Sequence, residues 1–204
     1  MKGLFVDACI RGEASRTLGL ARGFLDELAR ALPELELETV ELNRVRPLPL
    51  FEDALARREE AAREGFDGPA FALARQFREA ELLVLAAPFW EGTFPAAFHA
   101  YWEQVCVAGL TFSLDETGYR GLCRGKRAVF ITTRGGIYET GPAVADNHAP
   151  GFLRTVLTML GIPRLDVVAA EGLDMWGVDA AGALGAARKK LTALAAAWGQ
   201  ENRG

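Results

Sequence analysis

Residues 82–87 form a wholly apolar run with no polar alternation, which predicts a strand covered on both faces. Residues 3–8 and 165–170 also read as strands, and 128–133 as another buried one. Residues 35–42 instead alternate apolar and acidic side chains, the pattern of an edge strand wet on one face. Between these runs the period changes. Leu18, Leu20, Ala21, Phe24, Leu25 and Leu28 recur at helical spacing over 18–32, and Pro33 closes the segment. Helices are also predicted over 52–64, whose Arg and Glu residues suit a solvated face, and over 69–80. A further helix spans 93–107, with Thr93 as cap and Pro95 in the first turn. Residues 150–160 stop at Gly161 with Pro163 beyond, and a last alanine-rich helix capped by Asp179 runs to about Trp198. Residues 43–51, with Pro47 and Pro49, read as a loop. The stretch 110–124 has turn residues but no strong period.

Five strands alternating with helices imply an α/β fold: a parallel sheet with helices on both faces and right-handed crossovers. The common five-stranded solution is the flavodoxin-like three-layer sandwich with strand order 2-1-3-4-5. At 204 residues the whole of 1–204 is expected to form one domain.

Composition narrows the function classes. Net charge is −4 with no basic block, so neither nucleic acid nor an anionic membrane is an expected partner. No apolar run approaches the ~20 residues that span a bilayer, and the apolar start is too short for a signal peptide. Cys9, Cys106 and Cys123 form no Cys-x-x-Cys pair, which fits a reducing cytoplasm. His99 and His148 stand alone, so no metal site is expected.

In such a sheet the loops after the first, third and fourth strands open on one edge, where ligands bind. The first loop brings the Ser15 and Thr17 hydroxyls, Arg16 and backbone N–H groups at a helix start, a collection that suits a phosphate. Ordinary helix capping by Ser15 or Thr17 is the plainer alternative. The loop after residue 87 brings Pro88, Phe89, Trp90 and Glu91, with two large aromatics that either line a ligand or join a core. The loop after residue 133 brings Gly135 and Gly136, which let backbone approach a flat ring or simply make a tight turn. An anion binder at one end and a flat slot at the other fit flavin mononucleotide (FMN). No Gly-x-Gly-x-x-Gly follows the first strand and there is no Walker-type loop, so a dinucleotide fits less well.

Four stretches carry a resemblance: 86–90 (Ala-Ala-Pro-Phe-Trp), 108–112 (Ala-Gly-Leu-Thr-Phe), 125–137 with its Thr-Thr-Arg-Gly-Gly-Ile end, and 170–172 (Ala-Glu-Gly). Through nearly its whole length the chain resembles the FMN-dependent NAD(P)H azoreductase and quinone reductase family. The resemblance implies cofactor contacts from Cys9, from Ser15, Arg16 and Thr17 at the phosphate, and from Pro88, Phe89, Trp90 and Glu91 along one edge of the ring. Thr133, Arg134, Gly135, Gly136 and Tyr138 fall on the opposite loop. It also implies a homodimer, with Phe112 and Tyr119 as substrate-binding candidates roofing a flavin, including the partner's. Hydride would pass from NADH or NADPH to the flavin and two electrons on to a quinone or azo compound, in a ping-pong cycle. Such chemistry needs no protein nucleophile, only orientation, a dry site and hydrogen bonds. Tyr119 and Tyr138 are the candidate proton donors.

Two departures from the family pattern stand out. Glu91 replaces a common Asn, and Tyr138 a frequent His. A carboxylate ~4 Å from a developing flavin anion would cost roughly 4 kcal/mol at an effective dielectric near 20. Glu91 is therefore expected to turn away, to carry a proton, or to weaken the cofactor. Two other readings follow: a flavodoxin-like binding or accessory protein with weak or no FMN, and a cysteine phosphatase using Cys9. The latter's cradle needs Cys-x5-Arg, whereas Cys9 and Arg16 stand in Cys-x6-Arg.

Overall fold

The computed structural model describes residues 1–116 and 118–202. Its main sheet contains β1 (Lys2–Asp7), β2 (Glu36–Glu41), β3 (Leu82–Ala86), β6 (Arg127–Thr133) and β7 (Asp166–Ala170), all parallel. The spatial order is β2-β1-β3-β6-β7. Counted within this sheet, that is the expected 2-1-3-4-5.

The alternating pleat sends successive β3 side chains to opposite faces. Leu82, Val84 and Ala86 enter one core with Phe5, Val129 and Ile131. Helices α1 (Arg16–Ala31) and α7 (Ala180–Glu201) close that core with Leu18, Ala21, Phe24, Leu28, Leu191 and Trp198. Leu83, Leu85 and Ala87 enter the other core, closed by α4 (Ala72–Glu79), α5 (Ala96–Val105) and α6 (His148–Leu160). The unbroken apolar run of β3 is the consequence of two covered faces. Edge strand β2 is wetter than simple alternation predicts: only Val40 is buried, and Leu37 is exposed.

Of the remaining elements, α2 (Leu42–Val45) is one turn inside the expected loop, and α3 (Glu52–Glu64) buries no residue. Asp179 caps α7 as expected, accepting from the Gly182 N–H at 2.9 Å. Thr93 does not cap α5. Pro95 holds that position, and the Thr93 hydroxyl lies 3.2 Å from His99 Nε2 instead.

Within the stretch 110–124, β4 (Phe112–Asp115) and β5 (Gly118–Gly121) pair as an antiparallel hairpin. The Cys123 N–H donates to the Leu160 carbonyl, and Gly121 lies against the Gly161 backbone so closely that a Cβ would sit 2.0 Å from the Gly161 nitrogen. The hairpin is thereby pinned to the C-terminal end of α6. Among the described residues, no helix is long and apolar enough to cross a membrane, and no cluster of His, Cys, Asp or Glu could hold a metal ion.

Candidate functional site

The three loops meet at the carboxyl edge of the sheet. Ser15 caps α1, its Oγ accepting from the Leu18 N–H at 3.2 Å. Ser15 thus serves as the cap, and the Arg16 and Thr17 N–H groups fall in the first turn, where the helix end is positive. Thr17 turns inward. Its hydroxyl and that of Thr133 lie 2.6 Å apart, both residues buried. This bond ties the first loop to the end of β6. The Phe89 N–H donates to the Thr133 carbonyl at 3.0 Å, which ties in the loop after β3.

Arg16 is engaged on its outer side. Its Nη2 lies 2.8 and 3.1 Å from the two Asp174 carboxylate oxygens, and Nη1 donates to the Leu173 carbonyl at 3.1 Å. Asp174 belongs to the loop after β7, just beyond the Ala-Glu-Gly stretch at 170–172. The same loop bonds to the glycine loop through Gly172 N–H to the Gly136 carbonyl and Asp174 N–H to the Gly135 carbonyl. A Cβ on Gly135 would sit 2.7 Å from Asp174 Oδ2, and one on Gly136 3.1 Å from the Tyr138 ring. The missing side chains therefore make room for the protein's own atoms.

After β3, Trp90 to Thr93 close a tight turn through reciprocal backbone bonds of 3.2 and 2.7 Å. Glu91 and Gly92 occupy its centre at φ +49° and +81°, the signs of a type I′ turn. Asn is favoured at the first of these positions for backbone reasons alone, and Glu91 is not. The His148 N–H donates to the Gly92 carbonyl, fixing this turn to the start of α6. Phe89 packs on Tyr138 with ring centroids 4.3 Å apart, and the Arg134 guanidinium carbon lies 5.6 Å from the Phe89 centroid. Trp90 remains partly exposed.

Arg134 is buried, with its guanidinium over the Phe89 ring. Its Nη1 donates to Glu171 at 2.6 Å, and Glu139 is 3.9 Å away. Glu171 also accepts from the Tyr138 N–H at 2.9 Å and the Glu139 N–H at 3.2 Å. Among the described residues, Arg134 Nε and Nη2 have no hydrogen-bond partner.

The arrangement matches known proteins. A family model described as "Flavodoxin-like fold" matches residues 1–195. The chain belongs to that family. Among flavodoxin-like relatives, an "FMN-dependent NADH:quinone oxidoreductase 2" of Clostridium acetobutylicum is 38% identical over 184 residues, covering 90% of this chain and 92% of the relative. An "FMN-dependent NADH:quinone oxidoreductase" of Azospirillum brasilense is 35% identical over 209 residues, covering 96% and 98%. The crystal structure of an azoreductase from Bacillus anthracis superposes with a TM-score of 0.87 at 26% identity, covering 96% of this chain and 99% of that one.

Within this flavodoxin-like frame the expected site residues divide into two groups. Cys9, Ser15, Arg16, Thr17, Pro88, Phe89, Trp90, Glu91, Thr133, Arg134, Gly135, Gly136 and Tyr138 gather at the loop cluster. Phe112 and Tyr119 belong instead to the β4–β5 hairpin. Their rings touch at 5.6 Å on the hairpin, which is fixed at Leu160, while α6 meets the cluster at His148. A helix of that length separates its ends by ~18 Å. The residues that sequence reasoning missed are Glu171 and Asp174. The Ala-Glu-Gly motif pointed at the first, and nothing in the pattern pointed at the second.

The phosphatase reading fails at Cys9. Its thiol is buried and lies 3.7 Å from the Ala86 carbonyl. Burial, then the nearby Asp7 carboxylate, pushes the thiol up from its ordinary value, the opposite of the lowering that activates a nucleophilic thiolate.

Proposed function

We propose that this chain is an FMN-dependent NADH:quinone oxidoreductase that also reduces azo compounds. One observation carries the reading: the open end of α1, the aromatic loop after β3 and the glycine loop after β6 are hydrogen-bonded into a single cluster through Thr133. The names of relatives more than 30% identical along most of the chain agree with it.

The residues present fit FMN. Two first-turn N–H groups of α1, the Ser15 hydroxyl and Arg16 suit its phosphate. Pro88, Phe89, Trp90 and Glu91 would flank one edge of the flat ring, with Thr133, Arg134, Gly135 and Gly136 opposite and Cys9 at the floor. When bound, FMN supplies two-electron chemistry, taking hydride from NADH and passing electrons to a quinone or azo bond. The chain's own task is to seat the cofactor, hold the aromatic walls and keep water out. Tyr138, packed on Phe89, is the candidate proton donor within reach of the cluster. Y138F leaving quinone turnover unchanged would remove that role.

The separation of Phe112 and Tyr119 from their own cluster supports a homodimer in which each hairpin roofs the partner's site. Sedimentation equilibrium giving a monomer at micromolar concentration would overturn this assignment.

The function is tested by titrating purified protein with FMN and following its visible spectrum, then adding NADH and a benzoquinone. The expected result is a perturbed flavin band, bleached by NADH and restored by quinone. A sample that stays unperturbed through the titration would show an accessory protein instead.

A further inference from the structure

The least explained feature of the molecule is the buried guanidinium of Arg134. It lies over the Phe89 ring, with two nitrogens unpartnered among the described residues and its third paired to Glu171. Removing such a charge from water is costly, and its field is poorly screened where it lies. The carboxylates that offset it come from elsewhere in the chain. Glu171 stands at the end of β7 and Glu139 further along the glycine loop.

We infer that Glu171 is a positioning residue that sets how much of the Arg134 positive charge is felt by a flavin in the adjoining slot, and so tunes the cofactor's midpoint potential. This rests on the FMN reading above. Arg134 belongs to the loop assigned to one wall of that slot, and Phe89, over which it sits, belongs to the other. Its charge therefore acts between the two walls. A positive charge there favours the two-electron reduced cofactor, which carries more negative charge than the oxidised form. Glu171 opposes it at 2.6 Å and Glu139 more weakly at 3.9 Å. Glu171 also pins the backbone of Tyr138 and Glu139, so the same carboxylate sets both charge and shape.

Charge and shape separate by the sign of the effect. The experiment is the midpoint potential of FMN-loaded protein, measured by equilibration with a reference dye, in four variants. E171Q keeps the oxygen acceptor and loses the charge. It should raise the affinity for reduced over oxidised FMN by about tenfold, which is about 30 mV for a two-electron couple. E139Q, at a half-exposed and safely replaceable position, should shift it the same way by less. R134M should shift it about tenfold in the opposite direction. R134K, which keeps the charge and loses the fork, should stay near wild type.

Shifts of one sign in all four variants, R134K moving as far as R134M, or no shift at all would each show a bracing role only and overturn the inference. Should E171Q not fold, E139Q and R134K against R134M still decide the sign. Wild-type protein that binds no FMN overturns the FMN reading and this inference together. Wild-type protein that binds FMN without opposed shifts overturns this inference alone.

Discussion

The hydroxyls of Thr17 and Thr133 lie 2.6 Å apart and buried, joining the first turn of α1 to the last residue of β6. T17V leaves the Thr133 hydroxyl unpaired, and T133V does the same to Thr17. Each should cost about 1–3 kcal/mol in urea unfolding. The double variant removes both polar groups and should cost less than the sum of the singles. Additive losses would show that the two hydroxyls are not coupled.

Asp174 holds Arg16 with both carboxylate oxygens, while the same guanidinium stands at the helix end assigned to the cofactor phosphate. The pair is half-exposed, so its stability contribution is small. Its consequence is competition for Arg16. D174N should strengthen FMN binding several-fold and leave riboflavin, which has no phosphate, unchanged. Equal effects on both ligands, read by fluorescence quenching, would exclude the phosphate as the competing group.

Glu91 sits at φ +49° in the turn after β3. A left-handed backbone costs an ordinary L-residue roughly 1–2 kcal/mol, and Asn less. E91N should therefore raise stability by about 0.5–1 kcal/mol even without cofactor. A fall in the melting temperature of the apoprotein would show that the Glu91 side chain makes a compensating contact.

Stability should also fall at alkaline pH. The folded Cys9 thiol is held far above its ordinary value of 9.0, mainly by burial, while Cys106 is pushed up to about 11 by burial. Above pH 9 the unfolded thiols lose protons that the folded thiols keep, so the unfolded state is favoured as pH rises. For Cys9 the loss is up to about 1.4 kcal/mol per pH unit. C9A should flatten the slope above pH 9. An unchanged slope in denaturant melts from pH 8 to 11 would refute the burial account of Cys9.

Much of this molecule was legible in order along the chain. The unbroken apolar run of residues 82–87 indicates a strand with both faces covered, because any polar residue there would lie unhydrated. Ser15 or Thr17 ahead of the helical period and Asp179 before Ala180 mark helix starts, since a side-chain oxygen satisfies N–H groups that the helix itself cannot; that Ser15 is the cap and Arg16 the first helical residue was set by the fold. Alternating strand and helix then leave few topologies, and the loops after β1, β3 and β6 must share an edge. These are consequences of local period, backbone geometry and connectivity.

What the tertiary structure decided is how those loops are joined. Thr17 meets Thr133 across 116 positions, Arg16 meets Asp174 across 158 and Arg134 meets Glu171 across 37. No spacing rule encodes such pairs, because each depends on two elements being packed against the same sheet. The hairpin of Phe112 and Tyr119 shows the same limit. Its residues carry weak local preferences, and only its anchorage on Leu160 and Gly161 sets it at the far end of α6. The sequence alone determined the frame and which loops share an edge. Packing decided which charges lie buried beneath that edge, because burial is a property of the whole fold and not of any segment.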